Sequence, residues 1–102
     1  MILKKRKSAI STVLIDNERV RVTEYFFAPG SETGWHKHLW DYIVVPQTDG
    51  NLLLESIEGQ ETRTTLFRGD PYYRKAGVEH NVINSGKLEL TFIEIEIKAY
   101  PL

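Results

Sequence analysis

Turn-forming residues recur along this chain at short, fairly regular intervals. Asp16-Asn17, Pro29-Gly30, Asp49-Gly50, Glu58-Gly59, Gly69-Asp70-Pro71, Ala76-Gly77 and Asn84-Ser85-Gly86 punctuate it. These residues preset φ, tolerate positive φ, or hydrogen-bond their own backbone. Between them lie runs of strand length, most of them rich in the β-branched and aromatic residues that fit a pleated surface. No segment holds a helical apolar period over the length of about ten residues that a helix needs. The pattern predicts an all-β domain, whether sandwich, jelly roll or closed barrel.

Two segments carry a readable alternation. Val20 to Ala28 sets Val20, Val22, Phe26 and Ala28 against Arg21, Thr23, Tyr25 and Phe27, so both faces should meet something. In Leu88 to Ile97 the face of Thr91, Ile93, Ile95 and Ile97 opposes Glu94 and Glu96, the pattern of a half-buried antiparallel strand with its acidic face in water. Asp49-Gly50 and Ser85-Gly86 stand where tight hairpins would join neighbouring strands.

With 102 residues and no internal repeat or linker, one domain over 1–102 is expected. Hydrophobic residues at 41% and charged residues at 26% suit a soluble globular chain. A net charge of -1 gives no footprint for nucleic acid or an anionic membrane, and no apolar run is long enough for a membrane span. The one basic cluster, Lys4 to Lys7, reads as a flexible solvated tail over residues 1–7. Ser8 to Ile15 follows it where a secretory signal would stand. That stretch contains Ser8, Ser11 and Thr12 and runs into Asp16 and Asn17 without a small-x-small cleavage site, so it reads as a first strand. The absence of cysteine excludes disulfides and thiolate chemistry and fits a reducing compartment, so a cytoplasmic location is expected.

The histidines point to chemistry. His36 and His38 are one residue apart in a β-like segment, which projects both imidazoles from one face. His80 follows the Gly77 turn and enters Asn81-Val82-Ile83, a second strand-like run that could bring it opposite the pair. These three are all the histidines in the chain. Isolated histidines are more often hydrogen-bonded structural or surface groups than ligands, and the argument for a metal rests on number and spacing.

Gly30, five residues and then His36-Lys37-His38 reproduce the opening of one motif of the cupin family, and Gly69, Gly77, His80 and Asn84 fall at the spacings of its second. From Gly30 to Asn84 the chain therefore resembles a cupin. The resemblance implies a double-stranded β-helix, a jelly-roll barrel, with one divalent metal ion per chain on His36, His38 and His80. Lys75 replaces a motif proline, and the motif glutamate, commonly a fourth ligand, is missing: its slot is Tyr42 or Ile43. The nearest side-chain oxygens are those of Asp41 and Tyr42. Either the site is three histidines left open, or an irregular oxygen completes it. In the first spacing Tyr42 would serve as a weak ligand or an acid/base group, its phenol acidified by the cation. In the second Tyr42 packs into the barrel and Asp41 caps the turn after His38. Zinc, iron, nickel, manganese and copper all accept imidazole.

Other pocket candidates follow from parity and chemistry. Trp40 shares the parity of His36 and His38 if the strand runs on, as pocket wall or barrel core. Of Tyr72 and Tyr73 at most one should point inward. Arg74 could grip a carboxylate in a bidentate fork, although solvent-facing arginines are commoner.

Two functions are compatible with such a site. One is a metalloenzyme, a lyase, isomerase or dioxygenase, acting on a small polar molecule; the other is a non-catalytic, metal-dependent binding or sensing protein. The run Gly34 to Val45 also resembles that of small bacterial stand-alone cupins, some of which carry a β-alanine-degradation label. Apolar residues on both faces of Val20 to Ala28 and Leu88 to Phe92, together with edge strands in need of cover, predict a homodimer.

Overall fold

A computed structural model describes residues 5–99. In chain order its strands are β1 (Ile10–Asp16), β2 (Val20–Phe27), β3 (His36–Lys37), β4 (Asp41–Pro46), β5 (Gly50–Ser56), β6 (Glu61–Leu66), β7 (Tyr72–Arg74), β8 (Glu79–Asn84) and β9 (Leu90–Ile97). They form two antiparallel sheets, in the orders β1-β2-β9-β4-β7 and β3-β8-β5-β6. Phe27, Tyr42, Val44, Leu66, Leu90 and Phe92 pack with Leu52 and Val82 as the core. The rings of Phe27 and Phe92 lie 5.4 Å apart, and Tyr25 stands 5.4 Å from Phe92.

True hairpins join β1 to β2 and β5 to β6. In the first, Asn17 Oδ1 accepts the amides of Arg19 and Val20, each at 2.9 Å; in the second, Gly59 takes the positive φ of 86° that a side chain resists. The hairpins expected at Asp49-Gly50 and Ser85-Gly86 are absent. Both segments instead carry the chain across from one sheet to the other, from β4 to β5 and from β8 to β9. Turn chemistry marks where the chain bends, whereas the partner of each strand is set by long-range burial. Gly50 is needed for a different reason: a Cβ there would stand 2.3 Å from Cδ1 of the buried Leu90.

The acidic face of β9 also points the other way from expectation. Leu90, Phe92 and Glu94 are buried on the inner face, and the isoleucines look outward. Register places Val22, Ile95 and Ile43 side by side on the outer surface, followed by Glu24, Ile93 and Val45. A period of two separates the faces of a strand without saying which one is the core. On the inner surface the rows change character along the strands. Tyr25, Phe92 and Pro46 form an apolar row; then come Thr23, Glu94, Val44 and Tyr72; and at the far end Arg21, Glu96, Tyr42 and Arg74. One end of the inner face is thus apolar and the other polar.

Asn84, fully buried, donates to the carbonyls of Phe27, Ala28 and Leu88 and fixes the β8–β9 crossing against the end of β2. Met1–Lys4 of the basic run lie outside the described residues. Its remainder is docked rather than frayed: the Lys7 carbonyl accepts the Glu32 amide at 2.9 Å, and Arg6 pairs with Glu32 at 3.3 Å.

The Gly50–Leu90 contact generates a test. Gly50→Ala should cost about 1–3 kcal/mol in urea unfolding, because the new methyl has to displace a packed leucine. In a Leu90→Ala background the same substitution should cost less by about 1 kcal/mol. Equal losses in the two backgrounds would mean that the glycine serves some other purpose.

Candidate metal centre

The histidines are brought together by a very short strand. β3 pairs with β8 so that His36 lies opposite His80, and opposed residues of an antiparallel pair share a face. Two devices hold this pairing. Gly34, at φ 88°, turns the chain toward β8 while its amide donates to the Asn81 side chain at 3.0 Å. Beyond β3, the His38 amide donates to the Val78 carbonyl and the Gly77 amide to the His38 carbonyl, both at 2.8 Å. Gly77 adopts φ 100°, so the turn before β8 requires glycine.

The result is convergence at Nε2. His36 and His38 bring these atoms to 3.1 Å and His38 and His80 to 3.2 Å, with the rings nearly perpendicular. His36 Nδ1 lies 2.8 Å from the Gly34 carbonyl, which only accepts, so Nδ1 carries the proton and Nε2 presents its lone pair. Burial, followed by the charge of neighbouring histidines, lowers His38 to about 4 and His80 to about 3. At neutral pH both are therefore uncharged, the form that ligates. Nitrogens about 2.0–2.1 Å from one tetrahedral ion would be about 3.3 Å apart, so this donor set fits a divalent metal. The three histidines are a group that could hold such an ion.

Behind His38 stands a group that sequence reasoning assigned to solvent. Glu94, 5% exposed, reaches within 3.9 Å of His38 Nδ1, on the opposite side of the ring from the Nε2 cluster. Burial, then the adjacent Glu96, pushes its carboxyl up to about 8. His38, Glu94 and Glu96 together bring ligand-type atoms within 4.8 Å of one another. One signal in the sequence could have revealed this: Glu94 and Glu96 share parity with Leu90 and Phe92, which makes that face a candidate core face with an acidic end.

Parity places the two residues that could take the motif-glutamate slot on opposite faces. Ile43 points outward and Tyr42 inward, its ring stacked on His38 at 3.9 Å between centroids and 18° between planes. Burial and then Glu94 hold the Tyr42 phenol above its ordinary range. Asp41 lies on the outer side, where it accepts the Ala76 amide at 2.8 Å and the Tyr73 hydroxyl. It therefore ties β4 to the turn before β8. Tyr72 faces inward opposite Val44, and Tyr73 outward opposite Ile43. Trp40 is half-buried beside Arg21 and Lys98, whose charges lie 5.6 and 5.5 Å from its ring.

A cleft of about 170 Å³ opens beside His80, between Tyr42, Leu54, Thr62 and Arg74. A larger open hollow, about 760 Å³, lies between Lys5–Lys7 and Ala28–Gly30. None of the histidines lines it, so the cleft at His80 is the one that bears on chemistry.

Two antiparallel sheets closed around a core, with a histidine cluster at the polar end, define a small β-barrel with a candidate metal centre. The chain belongs to the cupin domain family, which matches residues 23–96. It is 57% identical over 93 residues to the β-alanine degradation protein BauB of Pseudomonas aeruginosa, covering 91% of this chain and 97% of that one. A cupin domain from Bordetella pertussis, solved as a crystal structure, is 60% identical with a TM-score of 0.89, covering 94% of this chain and 99% of the other. An RmlC-like cupin from Methanocaldococcus jannaschii shares the fold at 14% identity, with a TM-score of 0.73 over 95% of this chain and 86% of its own.

The buried carboxyl has a consequence for stability in the metal-free protein. Between the ordinary value of 4.5 and about 8, folded Glu94 holds a proton that the unfolded chain releases, so stability falls as pH rises through that window. The depressed histidines act oppositely: they cost stability as pH falls below 6.5. Glu94→Gln isolates the first effect. Its unfolding free energy should approach that of wild type near pH 5 and exceed it near pH 8, by a margin on the order of a few kcal/mol at about 1.4 kcal/mol per pKa unit. Parallel curves for the two proteins across the window would show that Glu94 ionises freely.

Proposed function

We propose that the chain is a cytoplasmic metalloenzyme that holds one divalent ion on His36, His38 and His80 and acts on a small polar organic molecule. The observation that carries this reading is the convergence of three Nε2 atoms in steps of 3.1 and 3.2 Å beside an open cleft. Such an ion, whether zinc, iron, nickel, manganese or copper, supplies a Lewis acid toward a carbonyl or carboxylate oxygen, or activates water or dioxygen. The chain's own residues orient and handle protons. Glu94 lies on the Nδ1 side of His38, where an outer carboxylate orients a ligating imidazole. Tyr42 packs its ring on His38 and is the candidate acid/base group.

Catalysis is favoured over passive binding by one specific feature: a buried carboxyl, Glu94, stands 3.9 Å behind His38, and active sites are where such groups are put to proton transfer. The name of the Pseudomonas relative supports a substrate connected with β-alanine breakdown. Among the described residues no helix is long and apolar enough to cross a membrane.

Protein purified without an affinity tag should carry about one divalent metal per chain, and chelation should lower its melting temperature by mass action. His36→Ala, His38→Ala and His80→Ala should each abolish stoichiometric metal. Full occupancy in any one of them removes that residue from the centre. With a substrate in hand, Tyr42→Phe should keep the metal and slow turnover.

The proposal includes a homodimer. Val22, Phe26, Ile43, Val45, Ile93 and Ile95 form an apolar outer surface, and β1 is an exposed edge strand bearing Ile10, Val13, Leu14 and Ile15. Such edges and patches are covered in soluble proteins. Light scattering after size exclusion should give twice the chain mass, and a monomer mass at micromolar concentration would contradict the assembly.

A further inference from the structure

Arg74 ends β7 directly opposite Tyr42, on the inner face of its sheet, and lines the cleft together with His80. Its guanidinium carbon lies 5.4 Å over the Tyr72 ring. Stacking of this kind orients the planar group and leaves its N–H edge free. Among the described residues no carboxylate lies within ion-pair distance of Arg74, whereas Arg6 and Arg21 each have acidic partners. Glu55, which also borders the cleft, is engaged elsewhere: Asn81 donates to it at 3.0 Å and Arg6 stands 3.9 Å away. Glu79, at the start of β8, borders the cleft as well without forming an ion pair with Arg74, so among the described residues the cleft contains an oriented cation with five donors that no carboxylate pairs. Its wall combines Leu54 and Val78 with the hydroxyls of Ser56 and Thr62. At about 30 Å³ per water, its volume of about 170 Å³ equals that of five or six water molecules.

We propose that Arg74 binds the carboxylate of a short-chain organic acid in this cleft, which directs the acid's other end toward the histidine cluster. The fork of a guanidinium matches a carboxylate in two parallel hydrogen bonds. The small volume limits the chain that follows the carboxylate to a few atoms. This inference deepens the metalloenzyme reading and rests on it only for what the far end of the acid meets; the guanidinium site itself needs no ion.

The test uses propionate as probe and propionamide as its uncharged counterpart, at constant ionic strength, on metal-free and zinc-loaded protein. The Arg74 side-chain N–H signal in nitrogen-15 NMR, assigned by its loss in Arg74→Gln, reports occupancy. Propionate should shift that signal saturably and propionamide should not. Backbone signals of Leu54 and His80 should follow with the same dissociation constant, and Arg74→Gln should weaken that constant at least about tenfold, roughly the 1.4 kcal/mol expected of a charge-assisted pair. Arg74→Lys, which keeps charge without the fork, should fall between the two and serves if the glutamine variant does not fold. Saturable propionate binding without any zinc uptake would leave this inference standing and remove the metal reading. Zinc uptake with propionate affinity indifferent to Arg74, or no saturable shift in either form, would overturn it.

Discussion

The two-residue pairing of β3 with β8 is the contact on which the site depends. His36 and His80 are 44 positions apart in sequence and meet only because those strands align them face to face. So short a strand has little intrinsic stability, since isolated pairs of strands are marginal in water. It is held by groups outside the ladder: the Asn81 side chain on the Gly34 amide, and the reciprocal bonds among His38, Val78 and Gly77. Asn81 is itself buried, and its amide donates to both Glu32 and Glu55, the same carboxylates that Arg6 approaches. One connected set of polar contacts thus runs from the N-terminal arm to the residue beside His80.

The polar end of the inner face is costly to build. Glu94 and the depressed histidines are groups whose charged forms water would solvate better, and their shifted ionisation measures that cost. The apolar rows farther along the same strands, from Tyr25 and Phe92 to Phe27 and Leu90, supply the burial that offsets it. Division of one sheet surface into a packing end and a chemical end lets a chain of 102 residues hold both a core and a site. It also accounts for the outward isoleucines: with the inner face of β9 partly given to carboxylates, the apolar residues of the other parity form the outer surface.

The fold class was legible because turn punctuation and β-branched runs are local features, and the histidine cluster because His36, His38 and His80 fall at the spacings of the two cupin motifs. Tyr42 against Ile43, and Tyr72 against Tyr73, came down to strand parity, which one buried neighbour decides. Two features resisted reading. The segments at Asp49-Gly50 and Ser85-Gly86 have hairpin composition, yet the strands they follow find partners across the barrel, which is a long-range fact. The inward direction of Glu94 contradicts the polar-out rule that serves most antiparallel sheets, because the centre at that end takes carboxylates inside. Arg74 was recognisable only as a chemical type; its stacking on Tyr72 and its place in the cleft follow from the β4–β7 register.

The account stands on three imidazole nitrogens acting together on one ion. X-ray absorption of the zinc-loaded protein measures this directly. It should show imidazole scattering equivalent to three ligands at about 2.0–2.1 Å, reduced to two in His36→Ala if any zinc remains. A first shell dominated by oxygen, or a spectrum unchanged by loss of His36, would contradict it.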